Sequence, residues 1–256
     1  MAITIKTKEE IEILKQGGKI LAEVLRELAK LAKPGVNTGF LDKKAREMIL
    51  ARGGEPAFLN YHPAFLDRPY PFTLCASLNS VVVHQLPSDL IILKEGDILK
   101  LDLGVKYKNL FTDSAVTVGI GNLTSDKIKL IEVTKASLDL AVEKVKPGNY
   151  IGDIGRAVES LAKKNNFSVV KVLVGHGVGY AVHEEPNIPN YEEKDRGPQI
   201  QTGMVLAIEP MLTMGSEEVK LHKDGFGYET IDGSLSAHFE HTVAVTEEGN
   251  IVLTMI

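Results

Sequence analysis

Apolar positions recur at helical spacing in four stretches of this chain, with short continuous apolar runs between them. The first helical stretch opens at Thr7-Lys8-Glu9-Glu10, a capping box. It turns Ile11, Leu14, Leu21, Leu25 and Leu28 to one side and stops at Lys33-Pro34-Gly35. A second helix is predicted over about 38–52, ending at Gly53-Gly54. Thr124 is placed to cap a third that runs to Lys146-Pro147-Gly148, and a fourth is predicted over 151–164, before Asn165-Asn166.

The runs between the helices read as strands, and they repeat in order. Val81-Val82-Val83-His84 resembles Val172-Leu173-Val174-Gly175-His176. Gly96 to Asp102 resembles Gly203 to Glu209, and Thr112 to Val116 resembles Phe239 to Val243. On this alignment Asp102 matches Glu209 and Asp113 matches Glu240. The shared order of helix, KPG or its like, helix and acid-bearing strands predicts an α+β fold with two related halves, about 7–120 and 124–256. They would form a single catalytic unit over 1–256. A pseudo-two-fold axis would bring the matched acids together. One segment has no counterpart: residues 55–73, which carry Phe58, Tyr61, His62, Phe65, Tyr70 and Phe72 with several prolines. An aromatic loop present in one half only is expected to wall a substrate pocket.

Composition narrows the function without naming it. The net charge of −5 comes with scattered Lys and Arg, which argues against nucleic acid as the main ligand. The single cysteine, Cys75, leaves no intramolecular disulfide and suits a reducing cytoplasm. The first residues lack the apolar core of a signal peptide, and no run is long enough for a membrane span.

The chemistry is carried by Asp102, Asp113, His176, Glu209 and Glu240, acids and an imidazole set beside apolar strand-like runs. Carboxylates are costly to bury alone, and nearby basic residues are too few to compensate them, so divalent cations are expected. A thiolate-free oxygen and nitrogen set suits Mn, Fe, Co or Zn. Two such ions can polarise a carbonyl and activate water, so the reaction implied is hydrolysis of an amide or ester. His84 and His183 add imidazoles, the latter in a glycine-rich stretch where backbone can approach a ligand.

The segments GHGVGYAVHEEP (175–186), LDLG (101–104) with Asp113 beyond it, AIEPML (207–212) and SLSAHFEHTVAVT (234–246) resemble the motifs of type I methionine aminopeptidases. IKTKEEIEILKQGGKILAEVL (5–25) and the KPGVNT turn (33–38) extend the resemblance to nearly the whole chain. It implies the pita-bread metallopeptidase fold, a curved antiparallel sheet backed by helices around a central dinuclear metal site. By the same resemblance Asp102 chelates one ion, Asp113 and Glu240 bridge, and His176 and Glu209 complete the other site. His84 would hold the substrate amide, His183 would stabilise the developing oxyanion, and Glu209 would also shuttle a proton. The implied substrates are N-terminal methionyl peptides of nascent proteins with a small second residue, met by analogy at the ribosome. A monomer is expected.

The methionine pocket is where the chain departs from that pattern. Tyr61 and Cys75 match pocket positions of bacterial members, whereas Phe58 and Val182 replace other side chains, and Phe226 stands where many members carry Trp. Val83 and Gln85, flanking His84, replace a frequent cysteine and glycine. Two rivals follow. A proline-specific aminopeptidase or dipeptidase would share the ligands but usually carries a large N-terminal domain, for which this chain has no room. A non-catalytic peptide-binding module would be expected to have lost ligands.

Overall fold

Helix α1 (Lys8–Leu31) begins where the capping box puts it: Thr7 Oγ1 accepts from the Glu10 N–H at 3.2 Å, and Glu10 Oε2 accepts from the Thr7 N–H at 2.8 Å. The computed structural model describes residues 2–62 and 67–255. Helix α2 (Thr38–Ala51) is capped one residue earlier than its first polar helical residue, by the Asn37 side chain accepting from Phe40 N–H at 2.7 Å. Both helices bury leucine and isoleucine stripes against one antiparallel sheet. Its centre is the long hairpin Ile98–Tyr107 and Leu110–Gly119, with Leu74–Leu78 on the hairpin's other edge.

Helices α3 (Ser125–Val142) and α4 (Ile151–Lys164) pack in the same way on a second sheet. There Gly175–Gly177, Val205–Ile208 and His241–Thr246 are neighbours. The element order is thus repeated, with two helices followed by an antiparallel sheet each time. The sheets meet where Ala115 bridges Glu240. Side-chain hydroxyls stitch that seam. Ser114 Oγ donates to Glu240 O at 2.7 Å, Thr117 Oγ1 to His238 O at 2.5 Å, and Thr242 Oγ1 to Asp113 O at 2.7 Å.

Two details differ from the sequence reading. Helix α3 ends at Val142, not at Lys146. Past that point the backbone tightens into i→i+3 bonds, Lys144 N–H to Ala141 O and Val145 N–H to Val142 O, both 3.0 Å. Residues 172–174 are not a strand, and Gly175–Gly177 is; it pairs with Val205–Ile208, whereas Val81–Val83 pairs with Tyr228–Thr230, so those two segments are not topological equivalents. A third detail is one the sequence reading did not address: the backbone bridge at the seam pairs Ala115 with Glu240, and Asp113 N–H donates to Thr242 Oγ1 at 2.9 Å. Among the described residues no helix is long and apolar enough to cross a membrane.

Candidate metal centre

Side chains two apart on a strand share a face. On Ile98–Tyr107 that puts Lys100 with Asp102, on Leu110–Gly119 Asp113 with Ala115 and Thr117, and along 236–240 Ser236, His238 and Glu240. These faces turn inward, so the acids converge although the sequence scatters them. Asp113, His176 and Glu240 offer ligand atoms that all lie within 4.8 Å of one another, and all three residues are buried. Asp102 and Glu209 complete the wall of the same cavity. His176 Nε2 lies 3.4 Å from Glu209 Oε1.

A cation fits this set. Asp102 Oδ1, Asp113 Oδ1 and Glu240 Oε1 are buried and have no hydrogen-bond partner, a costly state for carboxylate oxygens. Lys100, two residues before Asp102 on the same strand, does not answer them. Lys100 is fully buried, yet its Nζ donates to the carbonyls of Asn79 at 2.7 Å and Ser236 at 3.3 Å. Burial pushes Asp102 up to about 7, and it raises Asp113, Glu209 and Glu240 well above the ordinary carboxylate range; for Asp113 and Glu240 the neighbouring acids add to it. His176 Nδ1 lies 2.9 Å from Gly177 O. A carbonyl can only accept, so Nδ1 carries the proton and neutral Nε2 turns a lone pair to the acids. Burial lowers His176 to about 4, which keeps it neutral.

The auxiliary imidazoles stand at the cavity's side. His84 has φ +62°, a left-handed backbone that a β-carbon disfavours, held in place at a pocket wall. Burial first, then the charges of His183 and His238, lower it to about 3. His183 stacks edge-on to His176 at 4.4 Å between centroids, and its Nδ1 lies 2.6 Å from Tyr61 Oη.

Beside these groups the cavity is apolar. It encloses about 90 Å³ and is walled by Phe58, Tyr61, Tyr70, Cys75 and Phe226. The aromatic loop therefore does supply pocket wall, through Phe58, Tyr61 and Tyr70, with Phe72 packed behind them. Phe65 lies outside the described residues. His62 is exposed and does not line the cavity; Val182 packs behind the wall with Phe58, Cys75 and Phe226. Gln85 is buried away from the cavity, its Oε1 accepting from Leu78 N–H at 2.8 Å, and Val83 packs with Val82, Val170 and Met211. Tyr228, which lines the cavity, and His238, beside Glu209, are site neighbours that the sequence reading passed over. For His238 the signal was there, in the alternation of Ser236, His238 and Glu240.

The family model for metallopeptidase family M24 matches residues 12–247. A methionine aminopeptidase of Aquifex aeolicus is 46% identical over 257 residues, covering 99% of each chain. The chain belongs to the methionine aminopeptidases of family M24. The crystal structure of a methionine aminopeptidase from Thermotoga maritima, 38% identical, superposes on it with a TM-score of 0.95 over 100% of both chains. A prolidase from Pyrococcus furiosus shares the fold alone, with a TM-score of 0.77 at 24% identity over 98% of this chain and 65% of its own. The aminopeptidase thus has the pita-bread fold predicted for it, of mixed helices and antiparallel sheets. It is a metallopeptidase, and family and relatives favour the methionine branch over the proline branch.

Proposed function

We propose that this chain removes the N-terminal methionine of nascent proteins whose second residue is small, using two divalent ions. One observation carries the reading: Asp113, His176 and Glu240 offer ligand atoms within 4.8 Å of one another in a cavity that Asp102 also lines, and each of the three acids has a buried oxygen without a hydrogen-bond partner. Asp102 would hold one ion, His176 and Glu209 the other, and Asp113 and Glu240 both, acting as one unit built from the halves 7–120 and 124–256. Oxygen and imidazole donors suit Co, Mn, Fe or Zn. When bound, such ions act as Lewis acids and bring water into the range where it ionises near neutral pH.

The chain's own groups do the rest. Glu209 shuttles the proton from the attacking water, and His84 assists the leaving amine. With Tyr61 O–H donating to His183 Nδ1, the neutral ring carries its proton on Nε2, ready to stabilise the oxyanion at the scissile carbonyl. His84 holds the substrate amide. Phe58, Tyr61, Tyr70, Cys75 and Phe226 take up the methionine side chain, and the unbranched thioether suits so irregular an apolar wall. Val182 backs that wall, while His62 would act at the rim. We place the protein in the cytoplasm as a monomer that meets its substrates near the ribosome.

Metal analysis of anaerobically purified protein, paired with a peptide panel, tests this. Release of methionine from Met-Ala-Ser with bound metal and no cleavage of Ala-Pro-Ala is expected. Cleavage of Ala-Pro-Ala alone would move the assignment to the proline branch. Equal cleavage of Met-Lys and Met-Ala peptides would remove the small-residue rule.

A further inference from the structure

His238 is not among the groups that the proposed reaction uses, yet it is buried to 1% exposure and aimed at the centre. Its Nε2 lies 3.5 Å from Glu209 Oε2, while His176 Nε2 lies 3.4 Å from the other oxygen, Oε1. Both ring nitrogens of His238 are buried without a hydrogen-bond partner, and the 3.5 Å approach to Glu209 is the polar contact on the ring's Nε2 side. Its backbone is fixed on both sides, His238 N–H donating to Thr117 Oγ1 at 2.9 Å and His238 O accepting from it at 2.5 Å. Two residues earlier the Ser236 carbonyl is held by Lys100 Nζ at 3.3 Å. The imidazole is therefore presented by a strand that cannot drift, toward a carboxylate with one oxygen otherwise free.

We propose that His238 is a positioning residue for Glu209: its Nε2–H engages Oε2 and fixes the plane of the carboxylate, so that Oε1 is presented toward His176 and the cation site. This rests on the functional reading above, in which Glu209 is a ligand and proton carrier. Carboxylate ligands that lose such a partner drop metal affinity by about 10–100-fold. The donor, not the ring, is what matters. A glutamine amide reaches about as far as Nε2 and also donates.

Calorimetric titration of metal-free wild type, His238→Gln and His238→Leu with Mn²⁺, alongside kcat and KM for a Met-Ala peptide, tests the assignment. His238→Leu is expected to bind Mn²⁺ about 10–100-fold more weakly and to lose kcat with KM little changed. His238→Gln should stay within about threefold of wild type. If the leucine variant does not fold, judged by its thermal melt, His238→Asn takes its place, since it withdraws the donor by one methylene. Wild-type binding in the leucine or asparagine variant, or equal losses in the glutamine and leucine variants, would overturn the role. Failure of wild type itself to bind Mn²⁺ and release methionine would instead overturn the functional reading.

Discussion

Around Glu184 every carboxylate oxygen has a donor. Lys6 Nζ lies at 2.6 Å and Thr4 Oγ1 donates to the same oxygen; the Tyr180 and Ala181 N–H groups, the latter at 2.9 Å, donate to the other. The Lys6 and Glu184 side chains are 1% and 6% exposed. Around Asp102, Asp113 and Glu240, equally buried, one oxygen of each has none. The first cluster ties the N-terminal segment to the loop that carries His183. It is complete as built, and so reads as framework. The second is complete only with a cation, and so reads as a site. Burial of charge alone does not tell the two apart; the tally of donors does.

The widest gap between the clusters should open on removing a carboxylate. Asp113→Ala or Glu240→Ala is expected to cut turnover on the order of 1,000-fold or more, about 4 kcal/mol of barrier, and to lose metal together with activity. The metal-free fold should not suffer, because an unpartnered buried acid has been removed. Its melt should hold or rise, by up to about 1–3 kcal/mol in stability. A variant that keeps two tightly bound ions, or whose metal-free form is strongly destabilised, would erase the distinction.

Lys6→Met makes the opposite change. It leaves Glu184 buried without its cation, and loss of one partner of a buried pair costs about 3–5 kcal/mol. Burial drives Lys6 below its ordinary range, with the hydrogen bond and charge of Glu184 only partly restoring it. Burial also opposes ionisation of Glu184, but there the bonds from Lys6, Thr4 and Ala181 win and its carboxyl is lowered. Most of the loss in Lys6→Met is therefore the stranded carboxylate, and adding Glu184→Gln should recover much of it. Urea midpoints of the single and double variants read this directly. A single variant as stable as wild type would make the pair incidental.

Acidity separates the clusters next. The site carboxyls are raised, Asp102 to about 7, so in the metal-free protein they hold protons that an ion must displace. Binding should release protons, and affinity should climb with pH between about 5.5 and 7.5, by about tenfold per unit for each proton displaced. Titrations in buffers of different ionisation enthalpy count those protons; a flat pH profile with no release would contradict the raised values. Glu184 has the reverse sign: its lowered carboxyl adds stability above about pH 4.3, the free value, which is lost as pH falls through its folded value.

Much of this was legible in the sequence for one reason. An acid inside an apolar strand run is conspicuous, and Asp102, Asp113, Glu209 and Glu240 all stood out that way. The repeat matched Asp113 to Glu240, and those two acids do meet. The seam that sets their register was not legible, because it is made by the hydroxyls of Ser114, Thr117 and Thr242, residues with no periodic signature. The end of α3 was missed because Val145 continues the apolar rhythm and is buried, although the backbone beneath it has left the helix. Lys100 escaped notice as well. Its partners are two carbonyls contributed by distant segments, and only tertiary structure brings those together.

The smallest effect tests the donor tally at helix ends. Both N-caps on the repeated first helices are threonines in extended backbone, Thr7 with ψ 167° and Thr124 with ψ 158°. Thr7 Oγ1 accepts from Glu10 N–H and the Glu10 carboxylate answers the Thr7 N–H, whereas the Thr124 side chain makes no cap bond. Thr7→Ala should then cost about 1 kcal/mol, and Thr124→Ala only a few tenths. The Thr7 change also loosens the start of the segment that carries Lys6 toward Glu184, so its cost should shrink in a Lys6→Met background, where that anchorage is already gone. Equal costs for the two threonines would mean that side-chain capping, like burial, is no guide to which groups the fold depends on.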